Sequence, residues 1–306
     1  MTPSSAPPAR LRAALREGPS LVGGCFDALS ARLAERAGFG ILHLSGFGVE
    51  VTQIGGPDLG LTTLTELASH AARVTSTVEV PIIADVDTGF GGVLNVRRTI
   101  SEMERAGVAG VHIEDQAMPK RCPLLGGRRV LSRGEAVDRV SAACEARRNR
   151  DFLIVARTDA DVVSIDEVIE RSNLYLRAGA DVAMPMSLLM DGQPFAELNP
   201  DQQMTLLARL ARDIDGPLMT GGAPPPPGYT ARDVAELGYQ LVLFASAALG
   251  AAANAMAALY AAILREGTDA GYLAANPGAY HDGYELMRAV HLDDYQALEQ
   301  RHTSIC

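Results

Sequence analysis

Short apolar runs of about four or five residues alternate along this chain with longer segments whose apolar positions recur every three or four residues. The short runs are 21–24, 40–44, 81–85, 110–114, 152–156, 181–184, 217–220 and 241–244. Several are continuously apolar, as a parallel strand buried on both faces requires. The segments 28–37, 64–75, 93–106, 133–147, 165–178, 200–212 and 231–237 carry the helical period. Three of them end in Ala-Gly, at Ala37-Gly38, Ala106-Gly107 and Ala178-Gly179, where glycine supplies a left-handed helix cap before the next strand. This alternation predicts an α/β fold, a (β/α)8 TIM-type barrel over residues 19–267. A doubly wound sheet usually has fewer strands and a glycine-rich first turn, which is missing here. Residues 268–306 read as a C-terminal helical extension, with Leu286, Val290 and Leu298 at helical spacing. Residues 1–18, Pro- and Ser-rich at the start, read as a loose leader rather than a targeting sequence.

Composition narrows the function classes. Lys and Arg number 27 against 37 Asp and Glu, a net charge of −10. Such a surface repels phosphate backbones, so neither nucleic acid nor an anionic membrane is an expected partner. Aromatic residues are 5% with no Trp, which argues against an aromatic carbohydrate platform. The 4 cysteines form no CxxC pair, and a chain with a full core needs no disulfides. Reduced thiols in the cytoplasm are expected. The stretch 241–264 has no charge, but it is Ala-rich, contains Asn254 and begins as a strand, so it reads as part of the fold rather than a membrane span.

In a barrel of this kind the chemistry sits at the C-terminal ends of the strands. Four successive ends read Ser45-Gly46, Asp85-Val86-Asp87, Glu114-Asp115 and Arg157-Thr158-Asp159. So many carboxylates at one mouth repel one another unless a cation neutralises them. Asp85, Asp87 and Glu114 are hard oxygen donors with no Cys or His at metal-ligand spacing, which suits Mg²⁺, or Mn²⁺, better than Zn²⁺. Residues 85 and 87 share a face if the segment is extended. Arg157 offers a fork for a substrate carboxylate; its structural alternative is an ion pair with the same acids.

The segment AMPKRCPLLGGRRVLS (117–132) has no helical period and reads as a lid or binding loop. It carries Lys120, Arg121 and Cys122, and neighbouring cations would lower the thiol pKa and make Cys122 a usable acid or base. Cys25 and Cys144 read as packing residues, and Cys306 is uninformative. His43 and His112 lie in buried-strand patterns; His112, two residues before Glu114, points to the same face.

The segments SGFGVE…GGPDLGLTTL (45–64), ADVDTGFGG (84–92), GVHIEDQAMPKRC (110–122) and VARTDA (155–160) together resemble the isocitrate lyase / phosphoenolpyruvate mutase superfamily over about residues 21–267. The resemblance implies a Mg²⁺-binding barrel acting on 2-oxo or 2-hydroxy carboxylates through an enolate-type intermediate. It also implies a homotetramer in which the eighth helix is exchanged between subunits. Carried over residue by residue, Asp85 and Asp87 resemble the metal acids, with Asp58 and Glu114 assisting. Ser45 and Gly46 resemble the contacts to the substrate carboxylate, with Phe47 beside them and Arg157 as cationic partner. Lys120 and Cys122 match the gating-loop Lys-Arg-Cys, whose cysteine moves a proton in the family's C–C lyases.

The chain departs from the lyase pattern at Cys122-Pro123-Leu124, at Pro185-Met186-Ser187 and at Gly221, which precedes the run Ala223-Pro224-Pro225-Pro226-Pro227. The polar groups lost there would hold the further carboxylates of a tricarboxylate. Phe47, Met186, Leu124 and Leu125 predict a more apolar end to the site. The expected activity is therefore Mg-dependent C–C cleavage of a substituted 2-hydroxydicarboxylate, of alkylmalate or alkylcitrate type. Alternatives are decarboxylation of oxaloacetate or another 2-oxoacid, phosphonate-type mutase or hydrolase chemistry, and a catalytically silent oxoacid-binding barrel.

Overall fold

A computed structural model describes residues 6–302. The strands are β1 (Ser20–Cys25), β2 (Ile41–Leu44), β3 (Ile82–Asp85), β4 (Gly110–Glu114), β5 (Leu153–Thr158), β6 (Val182–Pro185), β7 (Leu189–Met190), β8 (Gln193–Pro194), β9 (Leu218–Met219) and β10 (Tyr239–Phe244). A closed barrel runs in the order β1-β10-β9-β6-β5-β4-β3-β2, and β7 and β8 form a separate hairpin. Every pairing in the barrel is parallel, for example Glu114 beside Arg157 and Asp85 beside His112. The expected (β/α)8 fold is thus the one observed.

The helices are α1 (Pro7–Glu17), α2 (Ala28–Arg36), α3 (Gly46–Ile54), α4 (Leu64–Thr75), α5 (Val93–Arg105), α6 (Arg133–Ala146), α7 (Ile165–Arg177), α8 (Pro200–Asp213), α9 (Ala231–Glu236), α10 (Ala247–Glu266), α11 (Ala270–Ala275), α12 (Gly283–Ala289) and α13 (Leu292–His302). Side-chain caps set where several begin: Thr63 and Glu66 form a capping box on α4, as do Ser132 and Glu135 on α6 and Asn199 and Gln202 on α8. Gly107 and Gly179, at φ +82° and +105°, follow the ends of α5 and α7 in the left-handed region expected of them.

The barrel interior is filled by Val22, Ile41, Ile83, Leu153, Val155, Val182, Met219 and Leu241, among others. Leu11 of α1, fully buried, belongs to the same cluster. This corrects the expectation of a loose leader: residues 7–17 form a helix, and residues 1–5 lie outside those described. Arg12 anchors α1 at the strands' N-terminal end, through Asp181 at 2.8 Å and the carbonyls of Arg150 and Asp151. Pro8 and Leu11 are buried, and Ala14 and Leu15 pack against the Leu11 cluster, a short stripe that the Pro- and Ser-rich start of the segment obscures.

The chain divides into two compact units, one ending at Ser246 and the other beginning at Ala247. The break falls ahead of α10 rather than after residue 267 as expected. Within the second unit, Tyr272 donates to the carbonyl of Ala255 at 3.2 Å, tying α11 to α10. By length and composition alone α10 is apolar enough to cross a membrane, and only 6% of its apolar window is buried.

Candidate active site

Asp85 ends β3, and the chain turns at once. Asp87 has φ +49° and donates its backbone N–H to Asp85 Oδ1 at 2.9 Å. The two acids therefore meet across a turn, not along an extended segment as the sequence reading expects. A left-handed aspartate is a strained choice, of the kind that marks functional turns. Asp85 Oδ2 accepts from the Gly46 amide at 3.3 Å, and Asp85 Oδ1 lies 3.0 Å from His112 Nε2. Burial pushes the Asp85 carboxyl up, but His112, Lys120 and Arg157 outweigh it and hold it well below the usual range.

Asp58 reaches the same mouth from the loop after α3. The buried Glu50 carboxylate organises that loop, accepting from the amides of Leu59 at 2.9 Å, Leu61 at 2.5 Å and Thr62 at 3.0 Å. Lys120, 4% exposed, inserts its ammonium between two of the acids, pairing with Asp58 and with Asp87 Oδ1 at 2.7 Å. Burial alone would lower its pKa, but Asp87, Glu114, Asp85 and Asp58 raise it. Asp87 is nevertheless pushed up to about 6, by burial first and then by Asp85.

Asp115 and Asp159, expected in the acidic cluster, are engaged elsewhere. Successive strand residues face opposite sides. Glu114 therefore faces the mouth, while Asp115 accepts from Thr158 and Tyr175 at 2.7 Å and from Arg171 at 3.2 Å. Asp159 takes both Nε and Nη2 of Arg157 at 2.9 Å, and Arg157 Nη1 meets Glu114 at 2.9 Å. The bidentate fork reserved for a substrate carboxylate is thus used internally. The guanidinium still lines the cavity, and its charge stands at the mouth.

The four proposed metal acids are close but do not form a ready cage. Among the described residues no three His, Cys, Asp or Glu side chains are grouped to hold a metal ion. Lys120 supplies the neutralising charge between Asp58 and Asp87 instead. In donor type the set still fits a hard divalent cation. Glu114 Oε1 is buried without a hydrogen-bond partner, and burial raises the Glu114 carboxyl well above its ordinary value despite Arg157. A cation would relieve both conditions.

Much of the loop 117–132 is exposed, as expected, but the side chains expected to carry its chemistry turn inward. Gln116 clips it, donating to the Arg121 carbonyl at 3.0 Å and accepting from the Arg121 amide at 2.9 Å. Lys120, Cys122 and Arg128 are buried, whereas Leu124 is 78% exposed. The Cys122 amide donates to the Asp58 carbonyl at 3.1 Å. Burial, with Asp58 adding to it and Lys120 opposing, pushes the Cys122 thiol up to about 11. The expected lowering by nearby cations does not occur, because burial and Asp58 outweigh Lys120. Cys25 is fully buried, as expected of a packing residue, and Cys144 is partly buried.

Asp58, Asp85, His112, Cys122 and Arg157 line a cavity of about 250 Å³, while Asp87, Glu114 and Lys120 stand behind that lining. One side is polar, with Ser45, Asp58, Asp85, His43, His112, Cys122 and Arg157. The other, from β6, β9, β10 and the loops after them, is mainly apolar, with Met184, Met186, Leu188, Ala223, Pro224 and Leu243, and carries Ser246 as well; Phe47 follows Ser45 on the polar side. Ser45 caps α3, accepting from the Gly48 amide at 3.1 Å, which sets that helix's N-terminus against the cavity. Gly221 cannot take a side chain without displacement, since a Cβ there would lie 2.9 Å from Met186 Sδ. The apolar end is therefore the joint product of Met186 and Gly221.

The sequence reading left His43 as a core histidine. It is buried, yet neither ring nitrogen has a hydrogen bond, and its ring sits 4.9 Å from that of His112. Burial first, then His112, lowers it to about 3, so the imidazole is neutral. The available signal was parity: in parallel register His43 stands beside Gly24 and Ile83, one strand from His112.

Fold and site together define an α/β barrel whose strand ends gather acids, a buried lysine and a buried thiol around a small bipolar cavity. The chain belongs to the phosphoenolpyruvate phosphomutase family, whose model matches residues 11–264. It is thus a member of the superfamily its motifs resemble. It is 36% identical over 252 residues to 2,3-dimethylmalate lyase of Eubacterium barkeri, covering 82% of this chain and 83% of that one. It is 35% identical over 293 residues to 2-methylisocitrate lyase of Halalkalibacterium halodurans, covering 95% and 92%. Among solved structures, phosphonopyruvate hydrolase in complex with oxalate and Mg²⁺ matches with a TM-score of 0.83 at 28% identity, covering 97% of this chain and 99% of that one.

Proposed function

We propose that this chain is a carbon–carbon lyase that cleaves a substituted 2-hydroxydicarboxylate of alkylmalate or alkylcitrate type to a 2-oxoacid and a second carboxylic acid. The observation that carries this reading is the bipolar cavity: carboxylates, an arginine and a thiol at one end, and Met186 with Gly221 at the other. An end wall with Ser246 as its one polar side chain and no cation favours an alkyl substituent over an additional carboxylate. The similarity to 2,3-dimethylmalate lyase supports the same substrate class.

Asp85 and Asp87 would hold Mg²⁺ or Mn²⁺, with Asp58 and Glu114 beside them. When bound, the cation polarises the oxygens of the 2-hydroxycarboxylate end and lowers the pKa of its hydroxyl. The N-terminal turn of α3, at Ser45, Gly46 and Phe47, takes the carboxylate, and the Arg157 charge favours the anion. A base accepts the hydroxyl proton as C2–O becomes a carbonyl and the C2–C3 bond breaks. The electron pair moves onto C3, where the Cys122 thiol delivers its proton. A thiol pushed up to about 11 is protonated at neutral pH and ready to act as that acid. Lys120 keeps the acids together beside the thiol.

We assign the exposed apolar face of α10 to contact with another copy of the chain, in a cytoplasmic homotetramer. Sedimentation at micromolar concentration tests that part. The activity is tested by screening alkylmalates, alkylcitrates and oxaloacetate for 2-oxoacid release with and without Mg²⁺. Release of 2-oxoacid from an alkylmalate supports the lyase; turnover of oxaloacetate alone transfers the chain to the family's other chemistries. Calorimetry with Mg²⁺ and oxalate separates an active site from a silent barrel, in which oxalate binding would not depend on the metal.

A further inference from the structure

A second concavity of about 550 Å³ adjoins the catalytic cavity, and the two share Pro123, Leu124, Leu188, Ala223 and Pro224. Its own walls come from Leu125, Leu189, Phe195, Ala196 and the end of the proline run. The polar side chains on it, Arg128 and Gln203, are largely committed, with Arg128 Nε the one atom of the guanidinium left without a partner. Arg128 Nη1 donates to Asp159 and Asp161 at 2.9 and 2.8 Å, and Gln203 donates to the carbonyls of Phe195 and Leu198. The groove therefore offers an extended molecule little besides apolar contact.

It is also a built surface. Asp161, 1% exposed, receives Arg128 from the 117–132 loop and the amides of Leu188 and Leu189 at 3.0 and 3.1 Å. One buried carboxylate thus pins two walls of the groove at a set spacing. Leu124, 78% exposed, stands where the two concavities meet. A methyl substituent ends within the catalytic cavity and has no use for this space.

We infer that the substrate carries an extended apolar substituent, an unbranched alkyl chain, which leaves the catalytic cavity between Leu124 and Leu188 and lies in the groove. This rests on the proposed alkyl-substituted hydroxydicarboxylate reading and extends it from short to long chains. The occupant is the substrate's own tail because the groove opens from the reacting cavity, and apolar because its walls are.

The test is calorimetry of the full chain, with Mg²⁺ present, against 2-alkylsuccinates from methyl to octyl, which lack the hydroxyl and are not cleaved. Affinity is expected to rise about three- to fourfold per added methylene over the first several carbons. Ala196→Trp, which fills the groove away from the cavity, should flatten that rise. Leu125→Asp, at a partly exposed position, provides the same check if the first variant folds poorly. Affinity that is flat or falls with chain length in the unsubstituted protein overturns the inference. So does a rise that both folded variants retain. Cleavage of 2-alkylmalates is measured in parallel: cleavage with no chain-length effect sinks this inference alone. No cleavage at any length sinks the lyase reading, while the binding series still decides the groove.

Discussion

Lys120 Nζ lies 2.7 Å from Asp87 Oδ1 at the barrel mouth, and the same ammonium holds Asp58. The lysine comes from the loop after β4 and the two acids from loops after β3 and α3. Three connections are thus closed on one buried charge, and two of the mouth's acids are neutralised by a residue of the chain itself.

Removing that charge leaves Asp58 and Asp87 buried and opposed. Lys120→Met is expected to cost about 3–5 kcal/mol of stability, as when one partner of a buried pair is deleted. Chemical denaturation measures it. Added Mg²⁺ should recover part of the loss, because a cation can take the place of the ammonium. A variant as stable as the parent would refute the neutralising role.

Gly46 touches Asp85 too closely to bear a side chain: a Cβ there would stand 2.8 Å from Asp85 Oδ2 and 3.0 Å from its Cγ. Gly46→Ala should displace the carboxylate while improving helix propensity in α3. The expected result is a loss of turnover of about ten- to a hundredfold with unfolding free energy within about 1 kcal/mol of the parent. Steady-state kinetics beside a denaturation curve separates the two effects.

Cys122 is a buried thiol pushed up to about 11, by burial first. Cys122→Ser is expected to lower kcat by about 10²–10⁴, the usual reach of a positioned proton donor, with a smaller change in KM. Iodoacetamide labelling followed by peptide mass spectrometry should show Cys122 nearly inert at pH 7. Its rate should climb about tenfold per pH unit up to pH 9. Rapid labelling at neutral pH would contradict a protonated thiol.

Glu167 of α7 accepts from Arg133 and Arg171, and its carboxyl is lowered from 4.5 to about 2, chiefly by the Arg133 hydrogen bond. A depressed folded-state pKa means stabilisation that is complete above the unfolded value and disappears as pH falls through about 2. Glu167→Gln should therefore destabilise by about 1–2 kcal/mol at pH 7, allowing for solvent screening of Arg133. The difference from the parent should shrink steadily below pH 4. A gap independent of pH would assign the loss to packing instead.

Much of this was legible in the chain. Strand positions follow from apolar runs, three helix ends from Ala-Gly pairs, and the location of the acids from their place at strand ends. These are local signals. Asp115 shows where they stop: it is adjacent to Glu114, but strand alternation turns it outward to Tyr175 and Arg171. Arg157 was correctly placed at the mouth, yet which carboxylate would take its fork depended on Asp159, two residues away on the same turn. Cys122 looked exposed because its neighbours are basic and prolyl; its burial depends on Asp58, more than sixty residues earlier.

By itself, then, the sequence determined the alternation of strands and helices, the barrel it closes into and the residue types gathered at one rim, because each depends on patterns within a few residues. Only the tertiary structure decided which acid meets Lys120, that the thiol stays protonated, that His43 faces the cavity, that Leu11 fills the barrel floor and that a second groove opens beyond Leu124. Those depend on desolvation and on which distant segments come into contact, and neither is encoded in any single stretch of chain.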